Sequence, residues 1–348
     1  MSSILVEPIQ NKSAWRGEDI RDRDDWIFNL SPQTLAVLEQ GLEQLAAKGL
    51  AAPNFTREDL QIATPEVQAE FDRISDELEN GYGFAVIRGL DAEKYSEADM
   101  ANMYYMMGYF MGNPVTQNAK GDLLGYVQNV GDKNDKKTRV YETNEYLPYH
   151  GDLSDVVGLL CIRKAKEGGL SSIVSTTSVY NEILKNHREY LGYYYHPTWF
   201  DHLGEPEPTL SPIFSYHEGK LASRYLRAYI ELGHERRGIP ISQIQTEALD
   251  IFDAITHDPA LRLDMMLEPG DIQFCNNYTI LHSRTAFIDF DEVEKRRKLL
   301  RLWLKMPNAR SLARDFPGRN GIAKREEWLT FKSGHSNSIK RLKVIDDV

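Results

Sequence analysis

Nine consecutive residues, Arg297-Lys298-Leu299-Leu300-Arg301-Leu302-Trp303-Leu304-Lys305, constrain the fold more tightly than any other stretch of this chain. In a β-strand, successive side chains point to opposite faces. Arg297, Leu299, Arg301 and Trp303 then share one face, and Leu300, Leu302 and Leu304 share the other. Both faces are bulky and apolar, so the strand needs cover on both sides. A strand buried in that way tolerates two arginines only where they meet anions, because an unpaired buried charge costs several kcal/mol. The alternative is an edge strand whose arginines stay solvated.

The chain can supply that cover. It has 348 residues, 41% of them hydrophobic and 27% charged, enough to bury a large core. A net charge of −11 disfavours a nucleic-acid partner, whose affinity comes from Lys and Arg on phosphates. No window approaches the ~20 apolar residues of a membrane helix. Residues 1–25 show neither a basic start nor an apolar run and are expected to lie over the surface. Cys161 and Cys275 form no disulfide framework or C-x-x-C pair, which fits a reducing cytoplasm. A homo-oligomer is left open.

Helices announce themselves by their ends. Ser31-Pro32 and Thr64-Pro65 are N-cap and first-turn pairs, each followed by apolar residues at helical spacing and closed by Gly49 and Gly81. Further helices are expected from about Ser96 to Phe110, after Ser178, and from near Ser242 to before Pro259. The methionines at 100, 103, 106, 107 and 111 read as core filler. Gly83–Leu90 reads as a buried strand, and Asp271 to Phe287 as one or two strands after the Glu268-Pro-Gly-Asp271 turn. No repeat or linker interrupts the chain, so one unit over 1–348 is expected, with 309–348 as a C-terminal tail.

Within this frame, His150 and Asp152 stand two positions apart, and on a strand that spacing aims both side chains at one face. His282, in a later strand, can supply a third ligand. Two imidazoles and a carboxylate on one face form the facial triad of non-haem Fe(II) oxygenases, which leaves coordination positions open. H-x-D alone is weak, being commonly just a hydrogen-bonded pair. The ordered set is specific: H-x-D, Gly168-Gly169, His282 after P-G-D, then Arg297 and Arg301.

That set resembles the taurine dioxygenase-like (TauD/TfdA) family of Fe(II)- and 2-oxoglutarate-dependent dioxygenases, over roughly Gly83 to Asn308. The resemblance implies an α+β, mainly β fold with a double-stranded β-helix (jelly-roll) core flanked by helices. It implies iron ligation by His150, Asp152 and His282. Ser171, in Gly168-Gly169-Leu170-Ser171, stands where the family has a threonine whose hydroxyl meets the distal carboxylate of 2-oxoglutarate. Arg297 matches the cosubstrate arginine and Arg301 the one that meets an acidic substrate group. The two roles are open to exchange, because Asp289 to Lys295 lengthens the spacing from His282. Pro114 to Asn118 would form a pocket wall with Gln117 as a substrate contact, a polar turn being the alternative there.

The expected chemistry consumes O2 and 2-oxoglutarate, releases succinate and CO2, and hydroxylates a C–H bond of a small anionic substrate such as an amino acid or other carboxylate or sulfonate. Desaturation or ring closure would use the same triad. Asp152 fills the position that related halogenases leave to chloride. A jelly-roll protein holding metal or a small acid without turnover is the rival reading, and a clamp at Arg297 and Ser171 argues against it.

Overall fold

The computed structural model describes residues 3–118, 120–130, 143–202 and 207–316. Eight of the nine residues, Lys298–Lys305, form a strand, and it is internal. It pairs antiparallel with Val156–Arg163 on one side and with Leu124–Gln128 and Asn113–Pro114 on the other. The sheet continues through Ile272–Asn276 and Phe84–Arg88 to Ile27–Asn29. The solvated edge-strand alternative is thereby overturned.

The two faces of the strand separate as the alternation requires. Leu300, Leu302 and Leu304 are fully buried against a helical layer made of Pro32–Lys48, Pro65–Asn80 and Glu97–Met111. Each buried leucine contributes about 1.5–3 kcal/mol relative to exposure. The five methionines lie in this layer as packing. Gly108 lets helix and sheet approach, since a Cβ there would fall 2.6 Å from Leu302 Cδ2. The helices begin and end where the sequence signals stood: Ser31, Thr64, Ser96 and Ser242 each accept a backbone N–H, and Gly49 closes the first helix at φ 65°.

The opposite face looks onto a four-stranded sheet ordered Leu263–Met265, Ser171–Ser175, Ile280–Arg284, Leu147–His150. Phe84, Val157, Cys275 and Trp303 of the larger sheet meet Ile173, Leu263 and Ile280 of the smaller one. Two such sheets, with helices Thr176–Asn186 and Gln243–Thr256 behind the second, make the jelly-roll core flanked by helices.

Three features depart from the sequence reading. The opening segment is not all surface: Trp15 and Ile20 are buried, and Trp15 Nε1 donates to the Tyr82 carbonyl at 2.8 Å. Helix Arg227–Arg237 has no side-chain N-cap, which explains why no start signal marks it. At the C-terminal end, Ala313 and Phe316 pack against Tyr278, while residues 317–348 of the expected tail lie outside the described residues. Among the described residues, no helix is long and apolar enough to cross a membrane.

Candidate active site

The smaller sheet brings two distant histidines side by side. His282 and His150 are direct partners in the register of antiparallel strands Ile280–Arg284 and Leu147–His150, and their ring centroids are 4.1 Å apart. His150 Nδ1 donates to the Pro148 carbonyl at 2.8 Å, which leaves Nε2 with its lone pair available to a metal. His282 Nε2 lies 3.6 Å from Asp152 Oδ2. One ligand atom from each of His150, Asp152 and His282 falls within 4.8 Å of the others.

Asp152 reaches this cluster differently from the expected route. It does not share the strand with His150, which ends the strand, but sits two residues beyond in a turn. That turn is built by Asn277, which accepts the Asp152 N–H at 3.0 Å and donates Nδ2 to the Ser154 carbonyl at 3.0 Å. Trp303 Nε1 donates to Asp152 Oδ2 at 3.0 Å, and Arg301 Nη1 lies 3.7 Å from Oδ1. Asn277 and Trp303 are positioning residues the sequence reading missed. The alternation that set Trp303 beside Arg301 was the available signal.

Electrostatics suit a divalent cation. Burial drives the His282 imidazole down to about 3, with His150 next to it adding to the effect. Burial lowers His150 as well. Burial alone would raise Asp152, but Arg301, His282 and His150 outweigh it and hold the carboxyl below its usual range. Two neutral imidazoles and an ionised carboxylate are the protonation states metal ligands need. The His282 Nδ1 has no partner among the described residues. The donor set fits a facially bound ferrous ion.

A cavity opens beside the cluster and is lined by His150, His282, Ser171, Arg284, Arg297 and Arg301, with leucines, a valine and Ser283 completing the wall. Arg297 is 6% exposed, its Nη1 has no partner, and burial lowers it to about 10. The Gly168-Gly169 turn presses on it: both glycines have positive φ, and a Cβ on Gly169 would come 3.2 Å from Arg297 Nε. Ser171 lies in the same wall, and its hydroxyl donates to Gln273 Oε1 at 2.7 Å.

Arg301 is also buried, but it is not without a counter-charge inside the protein, because Asp152 stands beside it. Arg301 thus meets one anion within the protein, and its burial alone does not demand a second from outside. Gln117 is neither a polar surface turn nor a wall of this cavity. It is 1% exposed and lies behind Arg301, accepting its Nε–H at 2.8 Å and donating to its carbonyl at 2.7 Å. Arg284, which the sequence reading gave no role, lines the cavity two residues after His282 on the same strand. That spacing puts both side chains on one face.

A jelly roll that holds two imidazoles and a carboxylate on one side of a basic cavity defines a class, the mononuclear non-haem iron oxygenases. Residues 46–303 match the taurine catabolism dioxygenase TauD, TfdA family. The FR-33289 synthase of Streptomyces rubellomurinus is 33% identical over 322 residues, covering 89% of this chain and 94% of that protein. The taurine hydroxylase-like protein SAT17 of Stachybotrys chartarum is 24% identical over 86% of this chain and 80% of its own. Among solved structures, an asparagine oxygenase in complex with Fe(II), 2S,3S-3-hydroxyasparagine and succinate superposes with a TM-score of 0.63 at 18% identity, covering 80% of this chain and 93% of that one. The non-haem iron oxygenase OrfP in complex with Fe and alpha-ketoglutaric acid gives 0.58 at 16%, over 80% and 94%. The chain belongs to the TauD/TfdA family of Fe(II)- and 2-oxoglutarate-dependent dioxygenases.

Proposed function

We propose that this chain, as one catalytic unit in a reducing cytoplasm, hydroxylates a C–H bond of a small anionic substrate, an amino acid or a comparable carboxylate or sulfonate. One observation carries the reading: His150 and His282 of the His150–Asp152–His282 cluster line a cavity together with a buried Arg297 guanidinium that retains an unpartnered N–H. A purely structural metal site has no use for that second feature.

When bound, iron and 2-oxoglutarate supply, with O2, the oxidising power for an unactivated C–H bond and leave succinate and CO2. The chain does the rest. His150, Asp152 and His282 hold the metal from one side. Arg297, with Ser171 in the same wall, takes the distal carboxylate, a task for which a planar guanidinium in a dry pocket is suited. Arg301 serves the substrate's acidic group, steadied from behind by Gln117. This division is supported by position: Arg301 stands 3.7 Å from Asp152, beside the cluster, whereas Arg297 lies against the Gly168-Gly169 turn.

Charge balance supports an acidic substrate. Three arginines and a ferrous ion, set against Asp152, Asp289 and a dianionic cosubstrate, leave one positive charge over, and a buried surplus of charge is expensive until an anion offsets it. The hydroxyasparagine bound in the asparagine oxygenase, and the (3S)-hydroxy-L-Arg bound in a further OrfP complex with Fe and succinate, support a substrate of amino-acid size.

The deciding experiment screens amino acids and small carboxylic and sulfonic acids for succinate release, with the mass of each product measured. A product heavier by one oxygen is expected. Loss of two hydrogens would replace hydroxylation by desaturation or ring closure. Failure of the Mn(II)-loaded protein to bind 2-oxoglutarate in a calorimetric titration would overturn the reading altogether.

A further inference from the structure

We propose that Arg284 is a second arm of the site for the distal carboxylate of 2-oxoglutarate, gripping it together with Arg297; the inference rests on the cosubstrate reading above. Arg284 is 4% exposed, and its Nε and Nη1 have no partner, while Nη2 donates to the Glu145 carbonyl. Among the described residues, neither Arg284 nor Arg297 forms an ion pair. Yet both guanidiniums lie over one ring, Phe287, at 4.7 and 5.2 Å from its centroid. Two like charges that share one buried wall repel each other, and the nearby Asp289 carboxylate, which acts on both, forms no ion pair with either. A carboxylate shared between them removes the repulsion and fills the orphaned N–H groups on both.

Register places Arg284 at the right depth. His282 is paired across the sheet with Ile173, and Arg284 with Ser171. Arg284 and Ser171 therefore form one row, two residues from the row of the metal-binding imidazoles. Two residues of strand span about 6.6 Å, a separation that a five-carbon diacid chelated at its keto end covers with its far carboxylate. Ser171, the other group in that row, gives its only proton to Gln273 Oε1. The donor directly opposite it is Arg284, which supplies what the serine's proton does not.

The test compares two 2-oxo acids of equal chain length on full-length Mn(II)-loaded protein by calorimetry: 2-oxoglutarate, and 2-oxovalerate, which lacks the distal carboxylate. Arg284→Gln is expected to weaken 2-oxoglutarate about tenfold or more, the range for a lost hydrogen bond to a charged group, and to leave 2-oxovalerate within about twofold. Arg297→Gln should show the same selective loss. If Arg284→Gln weakens both acids alike, or neither, Arg284 only braces the Glu145 carbonyl and Phe287, and the proposal is wrong. If Arg297→Gln also spares the preference for 2-oxoglutarate, the cosubstrate reading itself fails. Should Arg284→Gln not fold, Arg284→Lys carries the same comparison, because it keeps the charge and loses the fork.

Discussion

At the scale of single residues, the metal cluster depends on neighbours that never touch the metal. Trp303 holds one Asp152 oxygen and Arg301 stands near the other. Trp303→Phe keeps an aromatic ring and removes the donor. It should lower metal affinity or activity about 10- to 100-fold, as loss of such supporting contacts does, measurable by Mn(II) titration. Acid should unfold the metal-free protein early. His282 titrates near 3 when folded against 6.5 as its ordinary value, so between those values the unfolded chain binds a proton that the folded one refuses. Stability then rises with pH across that window and is lost as pH falls below about 6.5, at up to ~1.4 kcal/mol per unit. The melting temperature should drop from pH 7 to pH 5, and a flat profile would contradict a buried neutral imidazole. The three ligands were legible in the sequence because few residue types bind iron and their order was distinctive. Asn277, Gln117 and Arg284 were not, because an amide or a third arginine acquires its role only from what the fold sets beside it.

At the scale of elements, the strand at 298–305 was legible in full, since alternation alone dictates which side chains share a face. Capped helices were legible for the same local reason, while Arg227–Arg237 lacks a side-chain cap and was missed. Asp152 lies where alternation ceases to apply: H-x-D spacing implied a shared strand, but the strand stops at His150 and a segment tied down by Asn277, distant in sequence, delivers the carboxylate. The Gly168-Gly169 turn offers a test at this scale. Gly169→Ala places a methyl 3.2 Å from Arg297 Nε on a backbone at φ 72°. It should raise the KM for 2-oxoglutarate several-fold while the KM for substrate changes little, which steady-state kinetics with either component varied would separate.

At the scale of the whole molecule, segments far apart in sequence converge behind the metal turn. Phe316 is fully buried against Tyr278, and the Arg224 guanidinium lies 4.5 Å from the Phe316 ring centroid. Tyr278 in turn donates to Asp155 at 2.8 Å, three positions past Asp152. Phe316→Ala should therefore cost about 3–5 kcal/mol, read from urea unfolding, and loosen metal binding more than a cavity elsewhere of equal size. The two-faced strand has a consequence of its own. Sliding Lys298–Lys305 by a single residue would exchange its sides, thrusting guanidinium groups among the methionines and leucines of the helical layer and hydrocarbon into the reaction chamber. The charges that serve chemistry thus also act as proofreading marks during assembly: a mispaired sheet is penalised at once, and the misregistered chain has no comfortable trap in which to linger.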